Sequence, residues 1–314
     1  MFLQSLAMAN CPHHHLDLTH PMAFNYRFLL LSSLFCIEFP AHAASWPALS
    51  AEAARIEAQL PARLGVALLD ADGQTLWSQR GDERFALNST FKAFACAAML
   101  DRAGRGELDR AARMVVQGPL PAHSPVTERH LGQTLSLDAL CQASMAVSDN
   151  GAANLVLRAL GGPAGLTAFW RQHGDGVSRL DRWEPELNEA TPGDVRDTTT
   201  PLAAARGVWA LALGQGLAGP AQRTWLDWLS GNQLSGSLLR AGVPADWRIA
   251  DRSGAGGHGS RSIVAVLWPP QRTPLTLAVY LTGATAGLAV RDAAIAGLGR
   301  ALAQDVAATA PQGR

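Results

Sequence analysis

The sequence lacks an excess of charge of either sign: Lys+Arg and Asp+Glu each number 26, and the formal net charge is +0. Proteins that hold nucleic acid electrostatically carry a basic surplus, so nucleic acid is not an expected partner, and only a local basic pocket for a small anion stays open. An apolar run long enough to stay in a membrane is also missing near the N-terminus. The stretch from Phe28 to about Phe39 falls short of the roughly 20 residues that a spanning helix needs. No internal repeat or low-complexity tract occurs. Cysteine is scarce, with Cys11, Cys36, Cys96 and Cys141 the whole set. What is present is ordinary globular composition, 48% hydrophobic and 17% charged, over 314 residues. That length fits one large domain or two intimate ones.

The N-terminus reads as a targeting segment. Met22-Ala-Phe-Asn-Tyr-Arg27 supplies a start and a positive charge, the run from Phe28 follows, and Ala41-His42-Ala43 is a small-x-small cleavage signal. Cleavage is expected after Ala43, so that 1–43 is a leader (an upstream extension 1–21 plus a signal peptide 22–43) and 44–314 the working domain. Phe35 before Cys36 is too bulky for a lipid-attachment signal. His13, His14 and His15 lie in the part expected to be lost. Cys96 and Cys141 survive, and a pair in an exported chain suggests a disulfide closing about 45 residues, worth roughly 4 kcal/mol by loop entropy. Two buried free thiols are the alternative.

Along the mature chain, Trp46 to Leu60 fits an amphipathic helix. Leu64 to Asp70 and Thr75 to Gln79 read as strands around an Ala71-Asp72-Gly73 turn. From Thr90 to Leu229 the pattern is mostly helical. Trp209, Trp225 and Trp228 lie on these helical segments and read as core. The polar, aperiodic stretch Arg179 to Pro201 reads as a long loop, a common place for function. Ser262 to Trp268 and Leu275 to Leu281 read as strands joined by Pro269-Pro270-Gln271-Arg272. Leu288 to Gln304 reads as a last helix, and Arg300 to Arg314 as its end plus a loose tail. The expected class is α+β: one antiparallel sheet built from both termini, with flanking helices and an all-helical region inserted over about 90–230.

Ser89-Thr90-Phe91-Lys92 opens an alanine-rich helix. Residues three apart share a helix face, so the Lys92 amine can stand near the Ser89 hydroxyl. A serine attacks only once a base removes its proton, and a desolvated lysine can belong to that machinery. Taken alone, the pattern is more often a helix cap and a solvated lysine. Ser148-Asp149-Asn150 and then Arg252-Ser253-Gly254, followed by a strand, complete an ordered triplet that serves acyl transfer to serine in class A β-lactamases and penicillin-binding proteins. Arg182-Trp183-Glu184-Pro185-Glu186-Leu187-Asn188-Glu189-Ala190 is similar to the Ω-loop segment of the former. From about residue 46 to its end, the chain resembles a class A serine β-lactamase.

That resemblance implies a fold of the serine β-lactamase and penicillin-binding-protein kind, and a role for each motif residue. Ser89 attacks the lactam, with Lys92, or Glu184 through a water, taking its proton. Ser148 passes a proton to the ring nitrogen. Asn150 bonds the acylamino side chain. Glu184 and Asn188 hold the water that frees the ester. The amides of Ser89 and Ala255, beside Gly254, form the oxyanion hole, while Arg252, Ser253 and Arg261 receive the ring carboxylate. Arg182 and Asp197 close the loop, and Cys96 and Cys141 sit where many relatives have a disulfide. The implied partner is a small-molecule β-lactam, the implied site the periplasm, the implied state a monomer. No cofactor is implied, and the mature chain has no His-x-His-x-Asp cluster of the kind used by zinc-dependent β-lactamases.

Three departures bear on specificity. Arg252 stands where lysine is usual, as in the carbenicillin-hydrolysing subgroup, which implies turnover of carboxypenicillins beside penicillins and some cephalosporins. His123 replaces a common substrate-facing tyrosine. Asn88 and Gly256 occupy positions where some carbapenem-hydrolysing members have a cysteine pair. Two rivals share serine acylation without turnover: a D,D-peptidase, which lacks the Glu184 segment, and a β-lactam sensor, which would sit beside membrane spans.

Overall fold

The computed structural model describes residues 46–309. The expected leader 1–43 with its cleavage after Ala43, including Cys11, Cys36 and the three histidines, lies outside the described residues, as do 310–314. Chain order begins with α1 (Pro47–Gln59), β1 (Arg63–Leu69), β2 (Thr75–Gln79), β3 (Phe85–Ala86), α2 (Phe91–Gly104), β4 (Arg113–Val115) and β5 (Thr134–Ser136). It continues with α3 (Leu137–Val147), α4 (Asn150–Ala159), α5 (Pro163–Gln172), β6 (Thr198–Thr199), α6 (Pro201–Ala212) and α7 (Gly219–Ser230). Last come α8 (Leu239–Gly242), β7 (Arg248–Ala255), β8 (Arg261–Trp268), β9 (Leu275–Thr282) and α9 (Leu288–Ala308).

The central sheet is antiparallel, with order β2-β1-β9-β8-β7, so strands from both ends of the chain share it, as expected. Strands β1, β8 and β9 read as near-continuous apolar runs because both faces are covered. Successive side chains point to opposite faces, and the two faces feed different cores. Leu64, Val66, Leu68, Leu277 and Val279 pack on the side of α1 and α9, whereas Ala67, Leu69, Ala278 and Tyr280 pack on the side of the inserted helices. Proline opens α1, where an N–H is not needed. Its unpaired amides at Ala48 and Leu49 donate to the Asp305 carboxylate of α9 at 3.0 and 2.9 Å, tying the terminal helices together. The β1–β2 turn uses Gly73 at φ +79 and Asp70 Oδ1, which accepts from the amides of Asp72 and Gln74.

Three features differ from the sequence reading. The Arg252 motif does not merely precede a strand. It lies within β7, whose Asp251, Arg252 and Ser253 are buried, so polar residues hide the strand from an apolar-pattern search. Two small ribbons, β3–β6 and β4–β5, are too short to show a period. The polar stretch 179–201 holds a 3-10 turn, Glu186–Asn188, and β6. A disulfide joins Cys96 of α2 to Cys141 of α3 across 45 residues, with Cα atoms 5.6 Å apart. Trp225 is fully buried, and Trp209 and Trp228 pack against the same core.

Candidate active site

The site begins at a 3-10 turn, Asn88–Thr90, that delivers Ser89 to the start of α2. The turn is fastened on both sides. Thr90 Oγ1 donates to Leu87 O at 2.6 Å and lies 3.2 Å from Tyr280 Oη of β9. Burial pushes the Tyr280 phenol well above its usual range. Asn88 adopts φ +47, donates to Ser262 Oγ at 3.5 Å and accepts from Ser260 Oγ at 3.2 Å. On β7, Gly254 passes so close that a Cβ there would stand 2.6 Å from the Ser89 amide nitrogen. Any larger residue would push the strand away from Ser89.

One helical turn on, Lys92 is fully buried. Its Nζ donates to Ser148 O at 2.9 Å, to Ser148 Oγ at 3.0 Å and to Asn150 Oδ1, and stands 3.0 Å from Glu184 Oε1. Burial pushes the amine down to about 8, the Arg252 charge adds to the fall, and Glu184 opposes it. Ser148 Oγ in turn donates to Ser89 Oγ at 3.2 Å. Lys92 therefore reaches Ser89 through Ser148.

Ser148 ends α3 in the left-handed region, φ +59, which turns its side chain and that of Asn150 to the same place. Asp149 makes the bend rigid. Its Oδ1 accepts from the Ala152 amide at 2.7 Å and Thr127 Oγ1 at 2.8 Å, and its Oδ2 from the amides of Val126 and Thr127 at 2.7 and 2.8 Å. The first of these caps α4. Asn150 Nδ2 donates to Ala122 O at 2.7 Å. His123 has φ +62 and is exposed, with Nε2 2.9 Å from Val147 O.

Glu184 comes from the 179–201 segment. Its carboxylate is buried, with Oε2 accepting from Asn188 Nδ2, while Asn188 Oδ1 is buried without a protein partner. Asn154, on the same face of α4 as Asn150, grips the Glu184 backbone twice: Nδ2 donates to Glu184 O at 2.9 Å, and the Glu184 amide donates to Asn154 Oδ1 at 3.0 Å. Arg182 Nε donates to Asp197 Oδ2 at 2.6 Å, and Asp197 Oδ1 accepts from the amides of Asp181 and Arg182. Arg182 Nη1 also donates to Glu189.

Arg252 is fully buried. Its Nη2 donates to Ser148 Oγ, and its Nε and Nη1 have no protein partner. Burial lowers the guanidinium to about 10, so it stays cationic at neutral pH. Ser253 is buried beside it, and Ala255 is exposed at the end of β7. Arg261 faces β7 from β8, its Nε donating to Asp292 at 2.6 Å and its Nη1 to Gly254 O at 2.9 Å.

The structure thus links Ser89, Lys92, Ser148, Asn150, Glu184, Asn188 and Arg252 through one network of polar contacts. His123 borders it through the Asn150 amide, which donates to His123 O at 2.9 Å. Two supporting residues went unassigned in the sequence reading. Asn154 stands four residues after Asn150, a spacing that could have flagged a shared helix face. Asp292, 31 residues from Arg261, gives no local signal. Among the described residues no group of three or more His, Cys, Asp and Glu side chains could hold a metal ion.

A family model described as "Beta-lactamase enzyme family" matches residues 48–306. The chain is 45% identical over 253 residues to Beta-lactamase AER-1 of Aeromonas hydrophila, covering 80% of this chain and 83% of that protein. It is 45% identical over 248 residues to Beta-lactamase CARB-3 of Pseudomonas aeruginosa, covering 79% and 86%. Among solved structures, an ancestral class A β-lactamase superposes with a TM-score of 0.79 at 49% identity, covering 82% of this chain and 99% of that one. The chromosome-encoded β-lactamase of Vibrio parahaemolyticus does so with a TM-score of 0.80 at 40% identity, covering 83% and 100%.

Proposed function

The chain belongs to the class A β-lactamases, and from that premise we propose that it opens the lactam through an ester on Ser89 and frees that ester with water activated by Glu184. The observation that carries this reading is the continuous contact path Ser89–Ser148–Lys92–Glu184–Asn188. Ser89 Oγ attacks the lactam carbonyl carbon as its proton leaves along that path, to Lys92 or to Glu184 through a water. The amides of Ser89 and Ala255 bind the oxygen that gains charge. Losing one such donor costs about a hundredfold or more in other hydrolases. The C–N bond then breaks, and Ser148 hands a proton to the ring nitrogen. In the second half, a water held between Glu184 and the unpaired Asn188 Oδ1 attacks the ester carbonyl. Glu184 takes its proton, and Ser89 leaves as the alcohol.

Binding follows from charge and shape. The ring carboxylate meets Arg252 and Ser253, with the Arg261 charge behind Gly254. The two unpartnered N–H groups of Arg252 offer a planar fork that a lysine lacks. Asn150 takes the acylamino side chain and His123 walls the pocket. This favours penicillins, carboxypenicillins among them, with some cephalosporins. The Cys96–Cys141 disulfide supports an oxidising compartment, so the proposed setting is the periplasm, after loss of a signal peptide, as a monomer.

The test is turnover of benzylpenicillin in large excess, followed by ring absorbance and intact mass. Sustained hydrolysis with a transient adduct on Ser89 is expected. Consumption that stops near one equivalent would move the reading to a D,D-peptidase or a sensor. For specificity, carbenicillin is expected to exceed an oxyimino-cephalosporin in kcat/KM, and equal values would remove the carboxypenicillin assignment.

A further inference from the structure

The two amides that receive the lactam oxygen in the reading above belong to different elements: Ser89 to the 3-10 turn before α2, and Ala255 to the end of β7. Their spacing is not fixed by either element alone. One buried side chain, that of Asn88, reaches both. β7 and β8 pair with Gly254 opposite Ser262 and Ala255 opposite Arg261. Side chains alternate across a strand, so positions 254 and 256 share a face with Ser260 and Ser262. Glycine at 254 and 256 leaves that face bare, and Asn88 fills it. A Cβ on Gly254 would stand 2.8 Å from Asn88 Cβ, and one on Gly256 would stand 2.3 Å from Asn88 Oδ1. Asn88 therefore lies directly against the backbone on either side of Ala255.

Its amide is used at both ends. Oδ1 accepts from Ser260 Oγ at 3.2 Å, and Nδ2 donates to Ser262 Oγ at 3.5 Å. Each serine is fastened further. Ser262 Oγ donates to Leu87 O at 3.2 Å, which returns to the turn that carries Ser89. Ser260 O accepts from Arg291 Nη1 at 3.0 Å and from the Gly256 amide at 3.4 Å. The residue type suits the place on two counts. Asn88 has φ +47, a conformation that asparagine holds more readily than most residues with a Cβ. Its side chain also offers one acceptor and one donor group, as two buried hydroxyls require. An apolar residue would leave those groups short of partners, at a cost.

We propose that Asn88 is a positioning residue that sets the spacing of the Ser89 and Ala255 amides, acting through Ser260 and Ser262. The inference rests on the assignment of those two amides to the lactam oxygen. Asn88 touches no substrate. It holds the turn of Ser89 and the end of β7 at one separation, so that both N–H groups meet an oxygen as it gains charge. Donors aimed in advance at that charge carry a large share of the rate in acyl transfer.

The test combines kinetics with a vibrational signature. Asn88→Gly keeps the left-handed backbone and removes the amide, Ser260→Ala removes one of its partners, and the two are also combined. Each single variant is expected to lose about tenfold in kcat/KM for benzylpenicillin, within the range that small misplacements cost. The double variant is expected to be no worse than Asn88→Gly, because both changes break one linkage. In a Glu184→Gln background, the ester formed from benzylpenicillin with a 13C-labelled lactam carbonyl is followed by infrared difference spectroscopy. Hydrogen bonds to a carbonyl oxygen lower its stretching frequency, so the ester band is expected at higher frequency in both single variants than in the parent. A change that merely destabilised the fold would leave that band in place. Should Asn88→Gly fail to fold, Ser260→Ala carries the test. An ester band at the parent frequency, unchanged kcat/KM, or losses that multiply in the double variant would each overturn the proposal. A Glu184→Gln parent that forms no adduct would overturn the ester on Ser89, and this proposal with it. An adduct whose band stays in place overturns this proposal alone.

Discussion

Lys92 is the only lysine in the chain, so its amine can be followed alone in protein labelled with [ζ-15N]lysine. Its burial disfavours the ammonium and brings the pKa down to about 8. The folded state therefore releases this proton before the unfolded chain does, and stability gains from this group as pH rises from about 8 toward the ordinary 10.5. The NMR titration is expected to have its midpoint near pH 8. Because Glu184 holds the value up, Glu184→Gln is expected to move the midpoint lower still. A wild-type midpoint near 10.5 would show that the ion pair outweighs desolvation, and a rise in the variant would contradict the role given to Glu184. The identity of Lys92 was legible from its spacing to Ser89, but its surroundings were not. Four oxygens reach it from three separate residues, Ser148, Asn150 and Glu184, and only the fold brings these together. A lone Asn154 or Asp292 carries no mark in the sequence to show which partner it will meet.

At the scale of elements, the segment 179–201 depends on Asp197. This buried carboxylate binds Arg182 Nε and two backbone amides, and so fixes the chain two residues before Glu184. Asp197→Asn weakens the ion pair while keeping the volume. Small misplacements of a reacting group cost up to about a hundredfold in rate. The variant is therefore expected to lose about tenfold or more in kcat for benzylpenicillin. KM should fall with it, because slower deacylation lets the ester accumulate. Unchanged kcat with a raised KM would place Asp197 in binding instead. Most elements were readable where a period or a turn marked them, as in the Ala71-Asp72-Gly73 hairpin and the runs of β8 and β9. β7 was missed because both of its faces are buried and its buried residues include Arg252 and Ser253, the same residues proposed to bind the ring carboxylate.

For the whole molecule, a sheet covered on both faces separates two cores, and the Cys96–Cys141 bond lies on the side that carries the site, between α2 and α3. Closing 45 residues should stabilise the fold by about 4 kcal/mol. The Cys96→Ala, Cys141→Ala double variant is expected to unfold at lower denaturant, with an unfolding free energy smaller by about 4 kcal/mol and turnover persisting in the cold. An unchanged midpoint would show that the helices need no tie. Architecture was legible because strands cluster at both ends of the chain and helices between them. The pairing order of five strands was not, since it depends on which faces the helices cover. The most direct measurement is single-turnover mass spectrometry of Glu184→Gln mixed with benzylpenicillin. A stable adduct of one penicillin per protein, located on Ser89, is the predicted result, beside many turnovers by the wild type. Steady hydrolysis by the variant at the wild-type rate, or an adduct on another residue, would contradict the assignment of Ser89 and Glu184.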